Sequence, residues 1–305
     1  MSTKVVGQRR WGIGLLLGAG VLVNYFDRIN LSVAAPQLTT EFGLTPTDLG
    51  LLFSGYAWTY AILQIPTGIT LDRFGVKSVG RIATLLWAFA SGLTAVAGGL
   101  YSIFAARLLL GVAEAPTFPS NAKATGYWFP RRERALATAI FDAAAKFSNV
   151  IGVPAVGFVV AYYGWRWGFL ITAILSLIYF IAFFVYYRDP SQDKKLTRDE
   201  LDYIRAGGAQ PEGVAGAGAG ALLGYLLRQR KVWGLTIGFM AYGYTFYLFL
   251  TWLPGYLVST MHMDILKSAG FTAIPWAFAT VADLAVGGWL IDAMIERGYE
   301  ETRVR

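Results

Sequence analysis

The sequence has no cysteine, which excludes disulfides and thiolate metal sites. It has one histidine, His262, so a cluster of histidine metal ligands is excluded too. Charge is scarce: 15% of the 305 residues are Asp, Glu, Lys or Arg, against about a quarter in a soluble domain. No H-E-x-x-H or G-x-S-x-G pattern occurs, so neither zinc hydrolysis nor a serine nucleophile has a sequence basis. No cofactor is expected, and the chain reads as a non-enzyme.

What is present is apolar sequence in long runs. Hydrophobic residues make up 55% of the chain and the mean hydropathy is +0.48. Crossing about 30 Å of hydrocarbon takes about 20 helical residues. Eight runs meet that length, at 11–35, 48–70, 78–98, 101–126, 135–161, 166–187, 231–258 and 266–293. This predicts an all-α integral membrane protein. The net charge of +7 does not point to nucleic acid, because the basic residues lie between the apolar runs. Of 26 basic residues, Arg28, Arg107, Lys123 and Lys146 lie inside spans, and Arg166 and Lys267 in the outer turns. The other 20 fall on the side of the N-terminus, which the positive-inside rule assigns to the cytoplasm. Residues 4–23 imitate a signal peptide, but the run continues into Asp27 and Arg28, which no signal core carries.

The spans divide into a six-helix lobe (1–187), a cytoplasmic linker (188–230) and a two-helix partial lobe (231–305). Pro190 stops the sixth helix, and Thr197 with Glu200 forms a capping-box pattern for a short linker helix. Residues 213–220 are a Gly/Ala run, read as flexible linker. An internal repeat supports the two lobes. Gly68-x-x-x-Asp72-Arg73-x-Gly75 follows span two, and Gly288-x-x-x-Asp292 follows span eight. These residues suit an inner gate latch, with Arg131 and Arg134 as basic partners.

Charges inside spans single out a site. A charge at a helix centre in lipid costs about 2.5–3.5 kcal/mol, so Asp27, Arg28, Arg107 and Glu114 must face protein or water. Arg107, Gly111, Glu114 and Phe118 share one helix face, as do Asn24, Asp27 and Leu31. Tyr60 and Gln64 form a polar pair in span two, and Lys146 and Asn149 another in span five. Arg28 can grip a carboxylate with its planar fork, and Lys146 adds a second positive point. Tyr60, Gln64 and Asn149 suit the hydroxyls of a sugar acid. Asp27 and Glu114 are the candidate proton carriers, because burial favours the neutral acid and a nearby arginine the ionised one. Arg107 is expected to modulate Glu114. Asp142 and Asp283 lie in or near spans without an assigned role.

Four segments resemble a known family. GITLDRFGVK (68–77) resembles the signature loop of the major facilitator superfamily. NYFDRINLSVAAP (24–36), RLLLGVAEAPTFP (107–119) and FYLFLTWLPGYL (246–257) resemble helices one, four and seven of its anion:cation symporter family. The resemblance covers the whole chain and is nearest to bacterial sugar-acid permeases for galactonate, glucarate and hexuronates. It implies a monomer in the bacterial inner membrane that moves an organic anion with protons by alternating access. Asp27 and Glu114 match the family's protonated acids. Where several relatives carry a glutamine, this chain has Ala145, which leaves other carboxylates, such as an aromatic acid or tartrate, as alternatives. The family has twelve spans in roughly 400–450 residues. A truncated or incomplete reading frame is therefore expected, and a nonfunctional membrane fragment is the alternative of a different class.

Overall fold

The computed structural model describes residues 7–213 and 224–282, together with 285, 290, 294 and 297. Regular structure among the described residues is helical throughout. Helix α1 (Arg9–Phe42) is 34 residues long, about 51 Å at 1.5 Å per residue, which exceeds the hydrocarbon thickness. It stops at Gly43, whose left-handed backbone (φ 63°) glycine adopts without steric cost. The next helix, α2 (Pro46–Ala95), opens on a complete capping box. Thr45 Oγ1 accepts from the Asp48 backbone N–H, and Asp48 accepts from that of Thr45.

The sequence predicts two spans within α2, and the chain joins them as one helical run. The join is Gly75, with φ 75° and ψ 164°, a conformation closed to ordinary L residues. Span four, by contrast, is broken into α3 (Leu100–Glu114) and α4 (Thr117–Trp128). Pro116 sits at the break, where it can donate no backbone hydrogen bond. A 3-10 turn at Arg131–Glu133 leads into α5 (Arg134–Tyr163), and Gly164 turns the chain into α6 (Trp165–Tyr186). The linker holds α7 (Arg198–Ala206). Span seven is again two helices, α8 (Arg230–Thr251) and α9 (Leu253–Ser259), with Pro254 in the first turn of the second. Helix α10 (Ile265–Ala282) covers the described part of span eight. Gly288, Asp292 and Asp283, and most of the 213–220 run, lie outside the described residues.

By length and composition, α1, the 131–163 segment, α6 and α10 can each cross a membrane. Helix α1 packs on α5 and α6, α2 on α3 and α6, and α10 on α5. Lipid is as apolar as leucine, so burial alone does not drive these pairings; close packing at small residues does. At Gly157 of α5 an added Cβ would stand 2.7 Å from Ala269 Cβ of α10, so the α5–α10 approach depends on that glycine. The outward face of α6 carries exposed Leu177, Ile178 and Ile181, as a lipid-facing surface requires. One buried cluster gathers Ile13, Leu17, Trp87, Trp128 and Phe129 near the basic end of the bundle. A second gathers Ile29, Leu38, Val160, Phe169 and Trp276 toward the other end.

The first half of the linker is docked rather than free. Thr197 Oγ1 accepts from the Glu200 backbone N–H at 3.3 Å, as the capping pattern predicts. The Glu200 carboxylate, however, turns away from Thr197. It accepts from the backbone N–H groups of Arg9 and Arg10, each at 3.1 Å, and from Arg10 Nη1. Helix α1 has no acidic residue in its first turn and no side-chain cap of its own, and Glu200 fills that role from the linker. Arg10 also pairs with Glu133 at 2.7 Å, and Arg9 with Asp193 at 2.8 Å.

Candidate binding and coupling site

The four predicted intramembrane charges come together, all nearly inaccessible: Asp27 is 1% exposed, Arg28 4%, Arg107 3% and Glu114 0%. Arg107 is near enough to act on Glu114 by charge, but the ion pair forms between helices. Glu114 pairs with Arg28, Nε to Oε2 at 3.2 Å, and not with Arg107. The reason is geometric. Arg107 and Glu114 are seven residues apart, about 10.5 Å along a helix axis, whereas Arg28 reaches across from α1. Arg107 instead donates from Nη1 to the Asp27 carbonyl oxygen at 3.3 Å and lies over the Tyr56 ring at 5.2 Å.

The Arg28 guanidinium sits among aromatic faces. Its Cζ lies 4.6 Å from the Tyr25 ring centre, 4.8 Å from Tyr60 and 5.0 Å from Tyr56. Each such contact is worth about 0.5–2 kcal/mol, and together they help offset desolvation. Nη1 reaches Tyr247 of α8 at 3.3 Å, which links the lobe to the segment after the linker. Arg28 Nη2 and Glu114 Oε1 are buried without a hydrogen-bond partner among the described residues. Tyr56 also donates to Glu114 Oε2 at 2.8 Å.

Asp27 has a different setting. Its Oδ1 accepts from Ser91 Oγ at 2.5 Å, and its Oδ2 from Ser176 Oγ at 2.8 Å and from the Trp87 indole N–H. Sequence reasoning missed these three donors, and also Tyr25, Tyr56 and Tyr247. A signal was available in part: Tyr56 and Tyr60, and likewise Trp87 and Ser91, stand four apart on one helix face.

The remaining candidates are placed as follows. Tyr60 stacks on Tyr56 at 5.4 Å and so joins the Arg28 group. Gln64 is half-buried and donates to the Ala115 carbonyl at 3.3 Å, bracing the break between α3 and α4. Lys146 lies 3.6 Å from Asp142, one turn earlier on α5. Asn149 donates to the Ala145 carbonyl at 2.9 Å, while its Oδ1 is buried with no partner among the described residues.

In the signature loop, Asp72 pairs with Lys123 of α4 and not with Arg131 or Arg134. Lys123 lies on the helix facing the loop. Arg134 is engaged elsewhere, its Nη2 donating to the carbonyls of Gly126 and Gly208, and the Arg131 backbone N–H donates to the Gly207 carbonyl. Arg73 is exposed and stacks on Phe74. Gly68 has open space where a side chain would stand, and Gly75 makes the bend described above.

A cleft of about 670 Å³ opens at the opposite end of the bundle, lined by Gln37, Glu41, Trp165, Arg166, Val258 and Ile265 among others. None of the predicted site residues lines it. Among the described residues, no cluster of His, Asp and Glu side chains suits a metal ion.

A buried charge group inside a helical membrane bundle marks a functional site. A sequence model of the Major Facilitator Superfamily matches residues 17–299, and the chain belongs to that superfamily. Its relatives are transporters, not enzymes. The chain is 45% identical over 301 residues to the uncharacterized transporter YybO of Bacillus subtilis (strain 168), covering 99% of this chain and 69% of that one. It is 33% identical to a D-galactonate transporter of Escherichia coli, covering 96% of this chain and 69% of the relative. A probable galactarate/D-glucarate transporter of Bacillus subtilis is 32% identical, over 97% of this chain and 68% of the relative. Among solved structures, the fold is similar to a bacterial homologue of the human lysosomal transporter Spinster in an inward-facing, unoccupied conformation. The TM-score is 0.74 at 18% identity, over 95% of this chain and 64% of that one.

Proposed function

We propose that this chain works as a proton-coupled symporter, with Asp27 and Glu114 as its proton sites and Arg28 as the anion-gripping arginine, and that its substrate is a sugar acid. The observation that supports this most is the Arg28–Glu114 pair. Arg28, Arg107, Asp27 and Glu114 sum to zero charge. An incoming carboxylate would leave this dry group one charge negative, at a cost of about 2.5–3.5 kcal/mol or more. Protonating Glu114 removes that cost and at the same step releases the Arg28 fork for the substrate carboxylate. Anion and proton then favour each other's binding, which is the thermodynamic content of symport.

Tyr60, Gln64 and Asn149 are the hydroxyl-binding residues in this reading, and Lys146 the second positive point. Gly68, Asp72, Arg73 and Gly75 form the inner latch with Lys123 as its basic partner; Arg131 and Arg134 brace the linker. Asp292 belongs to the second latch by its sequence repeat. The basic end of the bundle faces the cytoplasm of a bacterium, the protein sits in the inner membrane, and it acts as a monomer. The sugar-acid class rests on the D-galactonate and galactarate/D-glucarate relatives.

The test is uptake of labelled galactonate, glucarate and glucuronate into proteoliposomes under an imposed inward proton gradient. Gradient-driven accumulation of at least one is expected, and Asp27→Asn should abolish accumulation while leaving anion exchange. Accumulation that ignores the gradient, or is normal in Asp27→Asn, overturns the reading.

A further inference from the structure

The donors around Asp27 differ in kind. The Trp87 indole N–H can only donate, whereas the Ser91 and Ser176 hydroxyls can donate or accept by rotation. All three side chains are at most 1% exposed, so protein atoms decide the bonding. Trp87 and Ser91 stand four apart on α2, Ser176 comes from α6, and Asp27 lies on α1, so the cradle spans three helices.

A protonated carboxyl must donate one bond, and of the three donors bonded to it only a serine can receive it. With the proton on Oδ1, Oδ2 remains a carbonyl oxygen that still accepts from both Trp87 and Ser176. Ser91 then rotates to accept from Oδ1–H, and its own hydrogen can turn to the backbone carbonyl four residues earlier. One hydroxyl rotation preserves all three bonds. With the proton on Oδ2, the Trp87 N–H would point at a hydroxyl oxygen, which is a poorer acceptor.

We infer that Trp87, Ser91 and Ser176 are positioning residues for the coupling proton, which is carried on Asp27 Oδ1 and received by a turn of the Ser91 hydroxyl. The inference rests on the reading of Asp27 as a coupling acid. In the step itself, hydronium transfers a proton to Oδ1, leaving water and a neutral carboxyl. The titratable and charged groups around Asp27 are Arg107 of α3, on its carbonyl oxygen, the Arg28–Glu114 pair, and Tyr179 of α6, which packs on Trp87 at 5.6 Å. The cradle donors themselves are neutral. They therefore act on the proton affinity through bond count, without adding charge.

The experiment is infrared difference titration of the purified chain in lipid nanodiscs, following the carboxyl C=O band that Asp27→Asn removes. Hydrogen bonds to ions are worth roughly twice those to neutral groups, so deleting a donor weakens the ionised form more. Trp87→Phe and Ser176→Ala should each raise the midpoint of the Asp27 band by about one pH unit, about tenfold in proton affinity. Ser91→Ala takes a donor from the ionised form but also leaves the neutral Oδ1–H buried without an acceptor, so the two losses offset and the midpoint should move less, while the band frequency shifts. Ser176→Ala deletes a single oxygen and keeps the test open if Trp87→Phe does not fold. An Asp27 band with an unchanged midpoint in both donor variants overturns the cradle alone. A Ser91→Ala midpoint that moves as far as the donor variants' places the proton on Oδ2 and overturns the assignment to Oδ1. Absence of any titrating Asp27 band in the unmodified chain overturns the cradle and the coupling reading together.

Discussion

At the scale of single residues, Arg28 is held on every side. Three tyrosine rings, one carboxylate and one tyrosine hydroxyl surround its guanidinium. A lysine would keep the charge but lose the planar fork and the stacking geometry. On the proposed function, Arg28→Lys should therefore weaken anion binding by about tenfold or more, since losing one stacked contact and one charge-assisted bond costs roughly 1.4 kcal/mol or above. Titration calorimetry with galactonate in detergent checks this, and an unchanged affinity would return Arg28 to a purely structural role. The positions of these charges were legible in the sequence, because an ionisable residue inside an apolar run has so few tolerable environments. Their pairing was not. Helical spacing reports which residues share a face of one helix, and the partner of Glu114 came from another helix 86 residues away.

At the scale of elements, the same distinction recurs. The apolar runs marked the helices, and two helix ends fall at Gly43 and Gly164, where local chemistry favours a turn. The fusion of two spans through Gly75 and the fracture of another at Pro116 were less visible. A glycine or a proline marks a place where direction can change, and only packing decides by how much. The linker is the clearest case. Its Thr197–Glu200 pattern reads as a local cap, yet the Glu200 carboxylate serves α1 instead. Glu200→Ala should cost about 2 kcal/mol, from the lost cap and the loss of one of Arg10's two carboxylate partners. Glu200→Gln should recover part of it. A lower thermal unfolding midpoint in detergent, with faster trypsin cleavage after Arg198 or Arg205, is the expected result.

At the scale of the whole molecule, the buried site is closed in this conformation: Tyr247 of α8 bonds Arg28, and Asn149 is fully buried. Alternating access, which the family resemblance implies, requires a second arrangement in which water reaches these residues. The absence of cysteine makes that testable, because Asn149→Cys would carry the only thiol in the chain. A small hydrophilic maleimide should label it slowly, and about fivefold faster once Tyr247→Phe removes a bond worth roughly 1 kcal/mol from the closed arrangement. Labelling that is absent in both chains would argue against such an opening.

The carboxylate that finishes the start of α1 also sets an order of events during synthesis. Glu200 lies 190 residues downstream of Arg10. At about 5–20 residues per second, it emerges from the ribosome roughly 10–40 s after the helix it caps. Until then the first N–H groups of α1 depend on water or lipid headgroups for partners. The six-helix lobe is thus fastened at its basic end only after its last helix has been made, and the linker acts as the clasp that closes it.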